Sequence, residues 1–153
     1  MIALILISWA NGAPVLARLG LGSRWAWPVD GGLRLADGRP LLGRTKTWRG
    51  WAATVLTTPL VAGVLGLPWL LGLAVAAAAM LGDAATSFAK RRLDLPSSTS
   101  APVLDQAPES LLPALLLREP LGLGVLEVLL AVLIFVVIDM LLTPLAQRLR
   151  ARS

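Results

Sequence analysis

Residues 121–146 read LGLGVLEVLLAVLIFVVIDMLLTPLA, and only Glu127 and Asp139 interrupt the apolar run with charge. A bilayer's hydrocarbon core is crossed by about 20 apolar helical residues at about 1.5 Å each, so this run is long enough to be a transmembrane helix. Glu127 lies near one end and reads as structural. Asp139, further in, fits packing or snorkelling as well as a functional role. Working outward, the same criterion predicts spans over about 68–89 and 51–66, joined by a turn at Gly66-Leu67-Pro68, and over about 1–21. A segment over 109–117 is too short to cross and is expected as a tilted or half-depth helix. The first run could be mistaken for a signal peptide, but no Lys or Arg precedes it and it continues past Ala13 through Val15-Leu16-Ala17. The fold class expected is therefore all-α integral membrane, a single membrane domain with about five transmembrane helices and polar loops over about 22–50 and 90–108.

Composition agrees. Of 153 residues, 56% are hydrophobic and 15% charged, with a mean hydropathy of +0.75; soluble domains have roughly 45–50% apolar and about 25% charged residues. The chain has no Cys and no His, which excludes disulfides, thiolate nucleophiles, structural zinc and imidazole chemistry. Asp, Glu, Lys, Arg, Ser and Thr are left. Lys and Arg outnumber Asp and Glu by 14 to 9, and the bases cluster in a few segments. That suits anionic phosphates or lipid headgroups, and no aromatic-interleaved basic stripe points to nucleic acid.

The bases also set orientation, because loops rich in Lys and Arg stay cytoplasmic. Arg24, Arg34, Arg39, Arg44, Lys46 and Arg49 lie between the first two spans, Lys90, Arg91 and Arg92 after the third, and Arg148, Arg150 and Arg152 in the tail; the other side has Arg118 beside Glu119. The expected location is the cell's inner membrane, with the N-terminus outside and both polar loops and the C-terminus cytoplasmic. Trp48, Trp51 and Trp69 suit interfacial anchors, and Trp9 packing against a neighbouring helix. Both informative loops then emerge on one side and can build one site.

Loop one contains Asp30-Gly31-Gly32, Asp37-Gly38 and Lys46-Thr47-Trp48-Arg49-Gly50. Glycines beside charged residues allow close backbone approach to a ligand, and Lys, Arg and Thr offer donors to phosphate oxygens. The same residues also suit an ordinary juxtamembrane loop with Gly-Gly and Asp-Gly turns. The Lys-Thr pair lacks the glycine spacing of a P-loop. Asp83 lies about two turns inside the basic end of the third span, an expensive depth for an acid without a partner or metal. Helical spacing puts Asp83, Ser87, Lys90 and Arg91 near one face; a snorkelling acid paired with Lys90 or with a loop-one base explains the same pattern. Loop two, with its Pro and Ser residues, suits a lid, followed by Asp105 and Gln106, and Glu109 opening the fourth segment. Carboxylates of Asp83 and Asp105 converging from separate helices at one membrane face suggest Mg²⁺, which takes one or two carboxylates with water and substrate phosphate.

Asn11 and Pro14, Asp30-Gly31-Gly32, Asp37-Gly38, the Lys46–Gly50 run, Gly82-Asp83 with Ser87-Phe88 and Lys90-Arg91-Arg92, and Pro102 followed by Asp105-Gln106 occur in this order. Together they resemble the CDP-archaeol synthase family, membrane cytidylyltransferases similar to phosphatidate cytidylyltransferase, from about Trp9 to Leu145. The resemblance implies transfer of CMP from CTP to a lipid phosphate with release of pyrophosphate, supported by Mg²⁺. It implies Asp83 and Asp105 as metal ligands and, with Lys46 and Lys90, as the catalytic residues. Lys46, Arg49, Lys90 and Arg91 would hold the nucleotide and lipid phosphates, Ser87 would sit against metal or phosphate, and Asn11, Asp30, Gly31, Gly32, Asp37, Thr47 and Gln106 would line or support the substrate pocket. The family pattern has a second Asp shortly after the Asp-Gln pair; Pro108 and Glu109 stand there in this chain. The alternative function is a non-catalytic membrane protein that binds anionic lipid or a partner through its basic loops.

Overall fold

The computed structural model describes residues 1–95 and 102–150, without the side chains of 102–105 and 142–150. Five helices follow one another: α1 (Ile2–Leu21), α2 (Trp48–Val64), α3 (Trp69–Arg92), α4 (Pro102–Arg118) and α5 (Val125–Arg150). Neighbours in sequence pack side by side, α1 on α2, α2 on α3, α3 on α4 and α4 on α5, and α1 also touches α3, α4 and α5. The expected turn between α2 and α3 is present: Gly66 takes φ 77° and the Leu67 N–H donates to the Ala62 carbonyl at 2.8 Å.

The interior is built from small residues and a few aliphatics. Leu6, Ile7 and Ala10 of α1 meet Ala62, Val75, Ala79, Ala114 and Leu117. Helix backbones approach closely where side chains vanish. A Cβ on Gly72 would stand 2.7 Å from the Pro59 Cα, and one on Gly82 would stand 2.5 Å from the Pro108 carbonyl oxygen. The large aliphatics point the other way: Leu56, Leu60, Leu126 and Leu141 are each exposed by about two thirds or more. Water would penalise such a surface; a bilayer accepts it. Among the described residues α1 and α3 are both long and apolar enough to cross a membrane. Helices α2 and α4, at 17 residues each, reach about 25 Å.

Several boundaries differ from the sequence expectation: α5 runs over Val125–Arg150 rather than 121–146, and three others bear on the site. Helix α2 begins at Trp48, where the Thr47 hydroxyl caps it by accepting from the Gly50 N–H at 3.3 Å. Helix α3 continues to Arg92, so Lys90, Arg91 and Arg92 form its last turn instead of opening a loop, where their charge complements the helix dipole. Helix α4 begins at Pro102 rather than 109, which places Asp105 and Gln106 on a helix.

Pro108 explains the late start expected for α4, and the helix tolerates three prolines in all. Pro102 suits a first helical position, but Pro108 and Pro113 lie in the interior, where proline removes the bond to the carbonyl four residues back. Pro113 frees the Glu109 carbonyl, and Asn11 Nδ2 from α1 donates to it at 3.3 Å. Pro14 in α1 likewise frees the Ala10 carbonyl, which accepts from the Thr54 hydroxyl of α2 at 3.0 Å. Neighbouring helices thus supply the bonds the prolines delete. Trp9 makes a further tie as expected, its indole N–H donating to Thr57 on α2 at 2.9 Å.

Candidate functional site

Loop one is an ordered structure hung on one carboxylate. Its ends are joined by Val29 N–H to Lys46 O at 2.8 Å and Trp48 N–H to Trp27 O at 3.0 Å. Asp30 accepts from Gly32 N at 2.9 Å, Leu42 N at 2.8 Å and Gly43 N at 3.1 Å. Gly31 and Gly32 take φ 60° and 80°, the left-handed region that glycine enters freely. Burial raises the Asp30 pKa, but the N–H donors of Leu42, Gly32 and Gly43 outweigh it and hold the carboxyl below its ordinary value of 3.8. The contribution is complete above about pH 4 and is lost as the pH falls through the lowered value.

The tip of the loop turns at Asp37-Gly38 and is fastened to the end of α3. Asp37 forms an ion pair with Arg92, Arg92 also donates to the Pro40 carbonyl at 2.8 Å, and Arg39 donates to the Arg92 carbonyl at 2.6 Å. The Asp37 pKa is lowered first by the Arg39 backbone N–H and then by the Arg92 guanidinium.

Held this way, the returning strand of loop one lies over a cavity of about 820 Å³ between α1, α2 and α3. Its wall carries Arg18, Arg44, Lys46, Arg49 and Asp83, with Thr45, Thr47 and the apolar Pro14, Leu19, Trp51 and Met80. Lys46 Nζ donates to the Asp83 carboxylate across this space, and both side chains are about four-fifths buried. Arg49 donates to the Gly22 carbonyl at 2.5 Å and the Arg24 carbonyl at 2.9 Å, fixing the end of α1 against the start of α2. Four cations against one carboxylate make the cavity strongly positive, and its size and charge suit a polyphosphate.

Of the residues named from sequence, Lys46, Thr47, Arg49 and Asp83 meet on this wall. The others have different surroundings. Asp30, Gly31, Gly32 and Asp37 organise loop one. Asn11 donates to Ile7 O and Glu109 O. Ser87, Lys90 and Arg91 are buried on α3 toward its basic end, and Gln106 is buried and donates to Asp139 of α5. The side chain of Asp105 lies outside the described residues. Its helix runs beside the Asp83 turn, since Gly82 touches the backbone of Pro108 and Glu109.

Arg18, Arg44 and Thr45 were missed as site residues. Arg18 carried a usable signal, because an Arg within an apolar span is expensive and marks a partner or a pathway. Among the described residues no group of three or more His, Cys, Asp or Glu gathers as a metal site. Asp83 alone still suits Mg²⁺ as a hard oxygen donor, since that ion takes one or two carboxylates and completes its shell with water and phosphate.

The family model described as "CarS-like: CDP-archaeol synthase" matches residues 4–153. A CDP-archaeol synthase of Hyperthermus butylicus is 39% identical over 112 residues, which cover 69% of this chain and 64% of that protein, just under two thirds of its length. The CDP-archaeol synthase of Sulfolobus acidocaldarius is 31% identical over 151 residues, covering 94% of this chain and 88% of the relative. A solved structure, described as an intramembrane enzyme for archaeal membrane lipids biosynthesis, superposes with a TM-score of 0.74 at 31% identity over 93% of this chain and 90% of its own. From the family match over residues 4–153, the relative aligned over 94% of the chain and the structural likeness at a TM-score of 0.74, the chain belongs to the CDP-archaeol synthase family.

Proposed function

We propose that this chain is an intramembrane cytidylyltransferase that joins the CMP moiety of CTP to the phosphate of a membrane lipid and releases pyrophosphate. The observation that carries the reading is the cavity: four cations and one carboxylate at the ends of apolar helices, where a water-soluble polyphosphate and a lipid headgroup can meet. The relatives' name supports an archaeol-type lipid phosphate as acceptor, with a phosphatidate-type as the second candidate. The outward leucines support burial in a bilayer as a single membrane domain, and the distribution of bases supports polar loops on the cytoplasmic side.

The chemistry needs no protein nucleophile. An oxygen of the lipid phosphate attacks the α-phosphorus of CTP, forming one P–O bond while the bond to the β-phosphate breaks and its electron pair leaves with pyrophosphate. The obstacle is the repulsion of two anions, so catalysis rests on positioning and charge neutralisation. Lys46 lies against Asp83 on the wall and balances the triphosphate together with Arg44. Arg49, locked on two carbonyls, keeps the end of α1 and the start of α2 at a fixed separation. Asp83 and Asp105 are the carboxylates that would hold Mg²⁺, which would supply Lewis-acid charge neutralisation to the phosphates.

The test is incorporation of labelled CTP into lipid by purified protein in nanodiscs with Mg²⁺, offered ether-linked and ester-linked lipid phosphates. Label in a CDP-lipid with equimolar pyrophosphate is the expected result. Folded protein that is silent across the lipid panel overturns the proposal.

A further inference from the structure

The four cavity cations are not equivalent. Lys46 is paired with Asp83, and Arg49 is held by the Gly22 and Arg24 carbonyls. Among the described residues the side chains of Arg18 and Arg44 make neither a hydrogen bond nor an ion pair, although both line the cavity. They also approach it from different media. Arg44 is an exposed loop residue between Gly43 and Thr45. Arg18 stands in the last turn of α1, a helix apolar enough to span a membrane, next to Leu19 and near Leu16, which are exposed by 43% and 55%. Its aliphatic stem can lie along lipid-facing surface while its head reaches headgroup depth.

We propose that Arg18 is the binding residue for the phosphate of the lipid substrate, entering from the bilayer along the Leu16–Leu19 edge of α1, and that Arg44 receives the nucleotide phosphates from water. This assignment rests on the cytidylyltransferase reading of the cavity. A planar guanidinium presents paired N–H donors to two phosphate oxygens, which suits a headgroup that must be held while its third oxygen attacks. The lipid chains then remain beside exposed leucines instead of being drawn through the polar wall. A competing role for Arg18 is complementing the dipole at the end of α1, which would affect stability and leave substrate affinity alone.

The experiment compares wild type, Arg18→Gln, Arg18→Lys and Arg44→Gln in nanodiscs, varying lipid phosphate at saturating CTP and CTP at saturating lipid. Losing a charge-assisted phosphate contact should raise KM for the lipid about tenfold or more in Arg18→Gln, with a much smaller change in KM for CTP. Arg18→Lys should recover part of the loss, and Arg44→Gln should move KM for CTP instead. Free glycerol 3-phosphate, which has the phosphate without the chains, should compete poorly with the lipid in wild type; strong competition would point to a free phosphate ester as the ligand and overturn entry from the bilayer. An unchanged lipid KM in Arg18→Gln, or a rise confined to CTP, overturns the assignment. If wild type transfers no CMP to any lipid, a thermal shift with dioctanoyl phosphatidate separates the two claims. Stabilisation lost in Arg18→Gln upholds Arg18 as a lipid-phosphate site, and equal stabilisation of both proteins rejects it.

Discussion

Asp83→Asn lowers cytidylyl transfer by about 100-fold or more while the protein still inserts and folds. Asn keeps the shape of the side chain, so the packing around Gly82 and Met80 is preserved. It removes the only described carboxylate on a wall that otherwise carries Arg18, Arg44, Lys46 and Arg49. Two consequences follow: the divalent ion proposed there loses a charged ligand, and Lys46 loses the partner that orients it. Preorganised electrostatic groups of this kind are individually worth about 10²–10³ in rate. Labelled CTP turnover at matched protein levels, with size-exclusion profiles as the folding control, checks the prediction. Unchanged turnover would remove Asp83 from the site.

The second large effect comes from packing. Gly82 lies where α3 and α4 touch, and a Cβ there would meet the Pro108 carbonyl carbon at 2.7 Å and the Glu109 Cα at 2.9 Å, both backbone atoms. Backbone cannot rotate aside as a side chain can, so Gly82→Ala must push the two helices apart. Overpacking of this kind costs about 1–3 kcal/mol, and here it displaces the residue next to Asp83. The expected result is a lower unfolding temperature in detergent together with reduced transfer activity. Gly63→Ala is the matched control: it lies in α2 with nothing within 4 Å of the added methyl, and Ala is the better helix former. Equal stability of the two variants would contradict the close α3–α4 contact.

The helices that hold this site were largely legible in the sequence, because lipid demands long apolar runs and punishes charge within them. Residues 1–21, 68–89 and 121–146 announce themselves in that way. Helix α4 was legible only from Glu109 onward, since Pro108 and the Pro- and Ser-containing stretch before it look like a breaker and a loop to a local reading. The group that satisfies the carbonyl freed by Pro113 is Asn11, far away in sequence on α1. Loop one is legible as turns and not as a path. Asp30 and Asp37 precede glycines, a turn signal, and the resemblance implies that they support or line the pocket; the structure engages Asp30 with backbone N–H groups and Asp37 with Arg92, so both organise the loop. Lys46 facing Asp83 was anticipated in kind, as a loop-one base meeting the buried acid, because charge sidedness places loop one and the end of the third span together. Arg18 escapes a local reading because it sits at the tail of an apolar run, although the expense of that position is itself the clue.

The chain contains no cysteine, which permits a direct measurement on the cavity. Thr45→Cys puts a single thiol on the wall, and Ala36→Cys puts one at the exposed tip of loop one, away from it. Labelling with a water-soluble maleimide, with and without CTP and Mg²⁺, reads occupancy of the space itself. Nucleotide should slow labelling at position 45 about tenfold or more and leave position 36 unchanged. If CTP protects neither thiol, or protects position 36 alone, the polyphosphate does not bind between α1, α2 and α3.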